Sequence, residues 1–116
     1  MELGGSMKTD KLRSIFGTKI YLEFESYKKD MLSKTPEEIF KHSYQNDYYV
    51  RFYEELLELS KELTEMELSN IILIQNFMDI VYAEWISSIT WSEDELSDFL
   101  SNLIRKICNR QLEVAQ

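Results

Sequence analysis

The sequence predicts an all-α protein, and three observations carry that expectation. Apolar residues recur at steps of three and four over most of the chain, Ser/Thr-x-x-Glu segments stand ahead of several periodic runs, and no stretch shows strand alternation or a hairpin dipeptide. A compact bundle of five or six amphipathic helices follows, with a long first helix and a regular last one. At 116 residues the chain has the size of a single domain with one core. Its apolar fraction of 44% separates it from acidic disordered chains, which cannot bury enough surface to offset the entropy lost on folding.

The opening MELGGS has neither the charged-then-apolar plan of a signal peptide nor helical periodicity. Its Gly-Gly-Ser before Met7 reads as a remnant of an expression tag, so residues 1–6 are set aside and one helical domain is expected over 7–116. From Lys8 to Leu32 the stripe Leu12, Ile15, Phe16, Ile20, Phe24, Tyr27 and Met31 defines the first helix, with Lys and Glu at most other positions. Gly17 interrupts this stripe, either as a tolerated glycine or as the mark of a bend or close backbone contact.

Thr35, Pro36 and Glu38 then form a helix start: the threonine can cap, proline suits the first position because its missing N–H has no partner there, and the glutamate can reach back. The same device recurs at Thr64–Glu67 and Ser92–Glu95. After the first cap, Ile39, Phe40, Ser43 and Tyr44 share a face, and Tyr49, Phe52, Tyr53, Leu56, Leu57 and Leu59 continue it. Gln45–Asp47 either caps a separate helix or lies within one bent helix. After the second cap come Leu68, Ile71, Ile72 and Ile74. Asn76 is then a candidate cap for a helix carrying Phe77, Ile80, Val81, Trp85 and Ile86. After the third, Leu96, Phe99, Leu100, Leu103, Ile104, Ile107 and Cys108 form the most regular stripe in the chain.

Several function classes lose their residues at this stage. The most apolar run, Asn70–Ile86, is broken by Asn76, Asp79 and Glu84 and falls short of the about 18 apolar residues of a membrane span. One cysteine, Cys108, supplies neither a disulfide framework nor a multi-cysteine zinc site and suits the cytoplasm; on an apolar stripe it reads as a small buried hydrophobe. The one histidine, His42, stands a turn after Glu38 on a solvated flank, and the sequence supplies none of the Glu-x-x-His pairs that a di-metal site in a helical bundle needs. Beyond the leading Gly-Gly-Ser the only glycine is Gly17, so phosphate-cradling loops are absent. Neither catalytic residues nor metal or cofactor ligands are expected. Tyr44, Tyr48, Tyr49 and Tyr53 make a dense aromatic group that serves either packing or contact with a partner.

Charge carries the most functional information. The formal net charge is −8, and it is segregated: from Glu62 to Ile104 there is no Lys or Arg, whereas the expected first helix is rich in Lys8, Lys11, Arg13, Lys19, Lys28, Lys29 and Lys34. An acidic surface built from Glu62, Glu65, Glu67, Glu93, Asp94, Glu95 and Asp98, flanked by Tyr48, Tyr49 and Trp91, would repel nucleic-acid phosphates and anionic lipid and attract a basic protein. The same charge could instead serve only to keep a small bundle in solution. The large aromatics Tyr48, Tyr49, Trp85 and Trp91 also raise a second possibility, self-association as a homodimer or helical subunit.

Two segments carry a family resemblance. KTPEEIFKHSYQND, Lys34–Asp47, resembles a "PPEEI…AY" segment, and NFMDIVYAEWISS, Asn76–Ser88, resembles an "NPLDALYQEWL" segment, of a small all-helical bacterial domain family of unknown function. The likeness spans Ile20 to Ser88, with Pro36, Glu37, Glu38, Ile39, Tyr44, Asp79, Tyr82, Glu84 and Trp85 matching and Phe77 standing where that family has proline. It implies no activity for any residue. What it implies is a setting, since members are often encoded on plasmids, phages and conjugative elements. Small acidic proteins of such elements include inhibitors of host defence nucleases, so an anti-CRISPR-like or anti-restriction-like inhibitor is the sharpest form of the expectation; this is an analogy of context and charge.

Overall fold

The computed structural model describes residues 3–88 and 95–115, with side chains over 8–88 and 95–109. Six helices appear among them and no strand: α1 (Leu3–Leu32), α2 (Pro36–Lys41), α3 (Ser43–Ser60), α4 (Glu65–Ile72), α5 (Phe77–Ser87) and α6 (Leu96–Ala115). The all-α expectation holds, at the upper of the two helix counts. α1 starts at Leu3, so the backbone is already helical through the Gly-Gly-Ser set aside above. At 1.5 Å per residue its 30 residues span about 45 Å, which accounts for the elongated 54 × 28 × 28 Å envelope. The shorter helices pack along this strut, α3, α4 and α5 directly against it and α6 across α3, α4 and α5.

The core is aromatic. Phe16 and Ile20 of α1 meet Tyr48, Tyr49, Phe52 and Leu56 of α3, Leu68 and Ile71 of α4, Phe77, Met78, Val81 and Trp85 of α5, and the α6 stripe from Leu96 to Cys108. Trp85 sits edge-on to Phe99, with ring centroids 5.0 Å apart, and Phe16 edge-on to Phe77 at 6.4 Å. These are the offset geometries that ring quadrupoles favour. Burying each such side chain contributes about 1.5–3 kcal/mol, more than any surface ion pair here can add. All seven α6 residues of the expected stripe are packed, whereas Ile15, Phe40, Ile80 and Ile86 of the other expected faces remain exposed. Met78 takes the place in the core expected for Ile80.

The caps explain where helices begin. Thr35 Oγ1 accepts from the Glu38 N–H at 3.2 Å, and Thr64 with Glu67 closes a reciprocal box, at 3.1 Å and 2.9 Å. The third expected box rests on Ser92–Asp94, outside the described residues. Residues 36–60 form two helices joined at His42 (φ −99°, ψ 18°), whose N–H still reaches the Glu38 carbonyl at 3.2 Å. The Gln45–Asp47 segment lies inside α3 and starts no helix, though the Asn46 amide donates back to the Ile39 carbonyl in the last turn of α2 at 3.4 Å.

Asn76 does stand at the N-cap of α5, but in the left-handed region (φ 55°, ψ 45°), with no side-chain bond to the helix. Glu23 of α1 takes over that role: its Oε1 accepts from the Met78 N–H at 2.8 Å, while Oε2 pairs with Lys19 at 2.7 Å. At the other pole, Arg13 donates to the carbonyls of Ser60 (2.8 Å) and Lys61 (3.1 Å) at the C-terminus of α3. Each charge has the sign that its helix end favours.

Two outcomes are expected in chemical denaturation. Glu23→Ala removes a charge-assisted cap from a largely buried position and should cost about 2 kcal/mol, against a smaller loss for Glu23→Gln. Gly17 needs neither a bend nor a close approach: α1 is continuous there, and an added Cβ would meet only Leu57 Cδ2 at an ordinary 3.7 Å. Gly17→Ala should therefore stabilise the fold by up to about 1 kcal/mol.

Candidate functional site

The acidic residues singled out from sequence do not form one cluster. Glu62 is exposed in the α3–α4 connection, Glu65 pairs with Lys8 of α1 at 3.0 Å, and the Glu67 carboxylate caps α4. Asn70 and Glu67 act on the Cys108 thiol, which places this group beside the second half of α6. Asp98 is exposed ten residues earlier on that helix, about 15 Å away along its axis, with Glu95 ahead of it. Trp91, Glu93 and Asp94 lie outside the described residues. Among the described residues, those singled out fall in two acidic areas, one around Glu62–Glu67 and one at Glu95 and Asp98.

Tyr48 and Tyr49 are corrected outright as partner contacts. Each is only 2% exposed, with Tyr48 against Trp85 and Phe52, and Tyr49 stacked on Tyr27 with centroids 3.8 Å apart. Trp85 is buried as well, and its indole N–H donates to the Tyr44 hydroxyl at 3.3 Å. The aromatic excess that suggested self-association is thus consumed inside the protein, Trp91 aside. Cys108 is buried, as its place on the apolar stripe implies, and burial raises its thiol pKa, the opposite of what a nucleophile needs.

A second site emerges that the sequence reading did not assemble. Between α1, the start of α3 and the N-terminus of α5 lies a cleft of about 750 Å³ lined by Tyr27, Asp30, Lys34, His42, Tyr49, Asn76, Asp79 and Tyr82, among others. Its hydrogen bonds tie three helices together. The Tyr27 hydroxyl donates to Asn46 Oδ1 and the Tyr49 hydroxyl to Asp79 Oδ1, both in short contacts. His42 Nδ1 lies 2.8 Å from the Glu38 carbonyl oxygen, which can only accept, so the neutral ring carries its hydrogen there and offers a lone pair at Nε2. The side chains of Glu38 and His42, a turn apart, do not pair; the Glu38 carboxylate accepts from the Thr35 hydroxyl at 3.2 Å instead.

The electrostatics are those of an acceptor-rich pocket. Burial, and then the charges of Tyr82, Asp79 and Asp30, raise the Tyr27 phenol from its ordinary value of 10.0 to about 12. Burial also raises Tyr49, reinforced by its bond to the Asp79 carboxylate, and raises Tyr82 as well. Among the described residues no group of three His, Cys, Asp or Glu side chains is placed to hold a metal ion. No helix among them is long and apolar enough to cross a membrane.

Asp79 and Tyr82, which carry the resemblance, could have pointed to this cleft. Tyr27, a polar-tipped residue on an otherwise apolar stripe, is a third pointer. What defines the class of this chain is its architecture: among the described residues, six helices and no strand, with a polar cleft beside the long first helix. No family model, curated protein or solved structure matches the chain.

The phenol shifts fix an alkaline signature. A phenol whose folded pKa exceeds its unfolded value adds stability that is fully present below about pH 10 and disappears as pH climbs through the folded value. Stability should therefore hold to pH 10 and fall from there toward pH 12 and above, and absorbance near 295 nm should show a late group of phenols, Tyr27, Tyr49 and Tyr82, ionising above the ordinary phenol range. Tyr27→Phe should remove one phenol from the late group.

Proposed function

We propose that the chain is a non-enzymatic binding protein whose acidic surface engages a basic surface on a protein partner. In its sharpest form it is an inhibitor, anti-CRISPR-like or anti-restriction-like, that occupies the nucleic-acid groove of a host protein on behalf of a bacterial mobile element. One observation carries the reading: the carboxylates of Glu62 and Asp98 stand exposed on a chain of formal charge −8 whose segment from Glu62 to Ile104 contains no Lys or Arg. A surface of that sign is steered toward cationic grooves and away from phosphates. The resemblance of Lys34–Asp47 and Asn76–Ser88 to a mobile-element family supplies the setting. With two acidic areas rather than one, the partner should be contacted at two places along α4 and α6.

The test is capture of partners from host cytosolic extract with and without nuclease, followed by affinity measurements on whichever basic protein is recovered. Binding should weaken by about tenfold or more between low and physiological salt, because the contact is made by exposed charges. Glu62→Lys combined with Asp98→Lys should weaken it further without lowering stability, and the chain alone should not shift duplex DNA or RNA. A partner bound with equal strength at all salt concentrations, or indifferent to both reversals, would overturn the proposal.

A further inference from the structure

The cleft between α1, α3 and α5 has a chemistry that the acidic surface does not share. Its rims carry the exposed carboxylates of Asp30 and Asp79. Its walls include the half-buried rings of Tyr27 and Tyr82, with His42 beside them, its Nδ1 held to the Glu38 carbonyl. The Tyr27 hydrogen is committed to Asn46, so its phenol oxygen faces a ligand as an acceptor. Tyr49, too buried to touch a ligand freely, holds Asp79 in place through its own hydroxyl. The only cation among the lining residues is Lys34, and the third carboxylate, Glu23, is already neutralised by Lys19 and the α5 cap.

We propose that this cleft receives an arginine side chain of the partner protein, its guanidinium hydrogen-bonded to Asp30 and Asp79 and lying against the rings of Tyr27 and Tyr82. The proposal extends the acidic-surface reading by naming the group that anchors the contact, and it rests on that reading for the partner being basic. Three features select a guanidinium. Acceptors dispersed around the pocket suit five donors fanned out in a plane better than the three of an ammonium converging on one point. Aromatic walls favour a flat, weakly hydrated cation that can lie against them. The volume falls within the range of about 300–1,000 Å³ typical of ligand sites, enough for the head group and its alkyl stem. A divalent metal ion is a poor alternative, since no three-ligand group is placed for one among the described residues.

The experiment is an NMR titration of the labelled protein with capped arginine, capped lysine and spermidine as probes. Capped arginine should give saturable shifts confined to amides around Asp30, His42 and Asp79, with affinity about tenfold above capped lysine. Asp30→Asn, an exposed and nearly isosteric change, should weaken arginine at least about threefold by removing one charge-assisted pair. Tyr82→Leu should erase the preference for arginine over lysine. The absence of saturable shifts, shifts centred elsewhere, equal binding of lysine or spermidine, or indifference to both folded variants would each overturn the proposal. The charge reading is separable: if the partner binds Asp30→Asn and Tyr82→Leu as tightly as the parent, with salt dependence intact, the cleft has no part in an interface that the acidic surface still makes.

Discussion

Two charged side chains on one helix hold this fold in register. α1 carries Arg13 and Glu23 ten residues apart, and each ends on a different neighbour, the guanidinium on the carbonyls of Ser60 and Lys61 at the end of α3 and the carboxylate on the Met78 N–H in the first turn of α5. A helix end buried without partners for its backbone groups is unstable, and both ends here are covered from outside their own sequence. The separation of Arg13 and Glu23 along α1, about 15 Å, therefore sets how far apart the end of α3 and the start of α5 must lie. Apolar burial supplies most of the free energy, but it is tolerant of sliding, whereas two charge-assisted bonds at fixed points are not.

The same strut explains part of the charge segregation. The lysine-rich first helix packs against α4, where Lys8 meets Glu65, and the acidic α5 is met by Lys106 of α6 near Glu84 at 3.9 Å. Some of the carboxylates in the segment lacking Lys and Arg thus find their counter-charges inside the protein. Exposed pairs of this kind stabilise by less than about 1 kcal/mol each, so their main effect is to set which acidic groups stay available to a partner. Glu67 is engaged in a cap and Glu65 in a pair, while Glu62 and Asp98 present their charge outward.

The parts of the fold that are legible in the sequence are those governed by local rules. Every residue that the α6 period assigns packs on the core, Ile107 only partly buried, and Thr64–Glu67 caps as its spacing requires, because both depend on neighbours within one or two turns. The cap of α5 is illegible for the opposite reason. Asn76 has the right type and position, but its left-handed backbone turns the side chain away from the helix, and the acceptor that replaces it comes from 55 residues earlier in the chain. Phe40 follows the helical period yet remains 79% exposed, since α2 is a six-residue helix none of whose residues is buried. Tyr48 and Tyr49 could be packing or contact residues by sequence; what decides is the approach of α5, a tertiary fact.

The cleft follows from how tyrosine behaves at a helix junction. Its ring can join an apolar core while its hydroxyl must find a partner or water, so a core edge built from Tyr27, Tyr49 and Tyr82 draws polar groups around it. Asn46 and Asp79 meet that need at two of the three hydroxyls, and in doing so they place an ionised carboxylate beside rings whose own ionisation is suppressed. Neutral phenols next to fixed carboxylates make an acceptor-rich edge in a cleft that also carries Lys34, Gln45 and Asn76. A flat cation bearing many donors satisfies the oxygens and the rings of that edge together. The packing requirement of the core edge and the recognition chemistry of the cleft thus share one set of side chains.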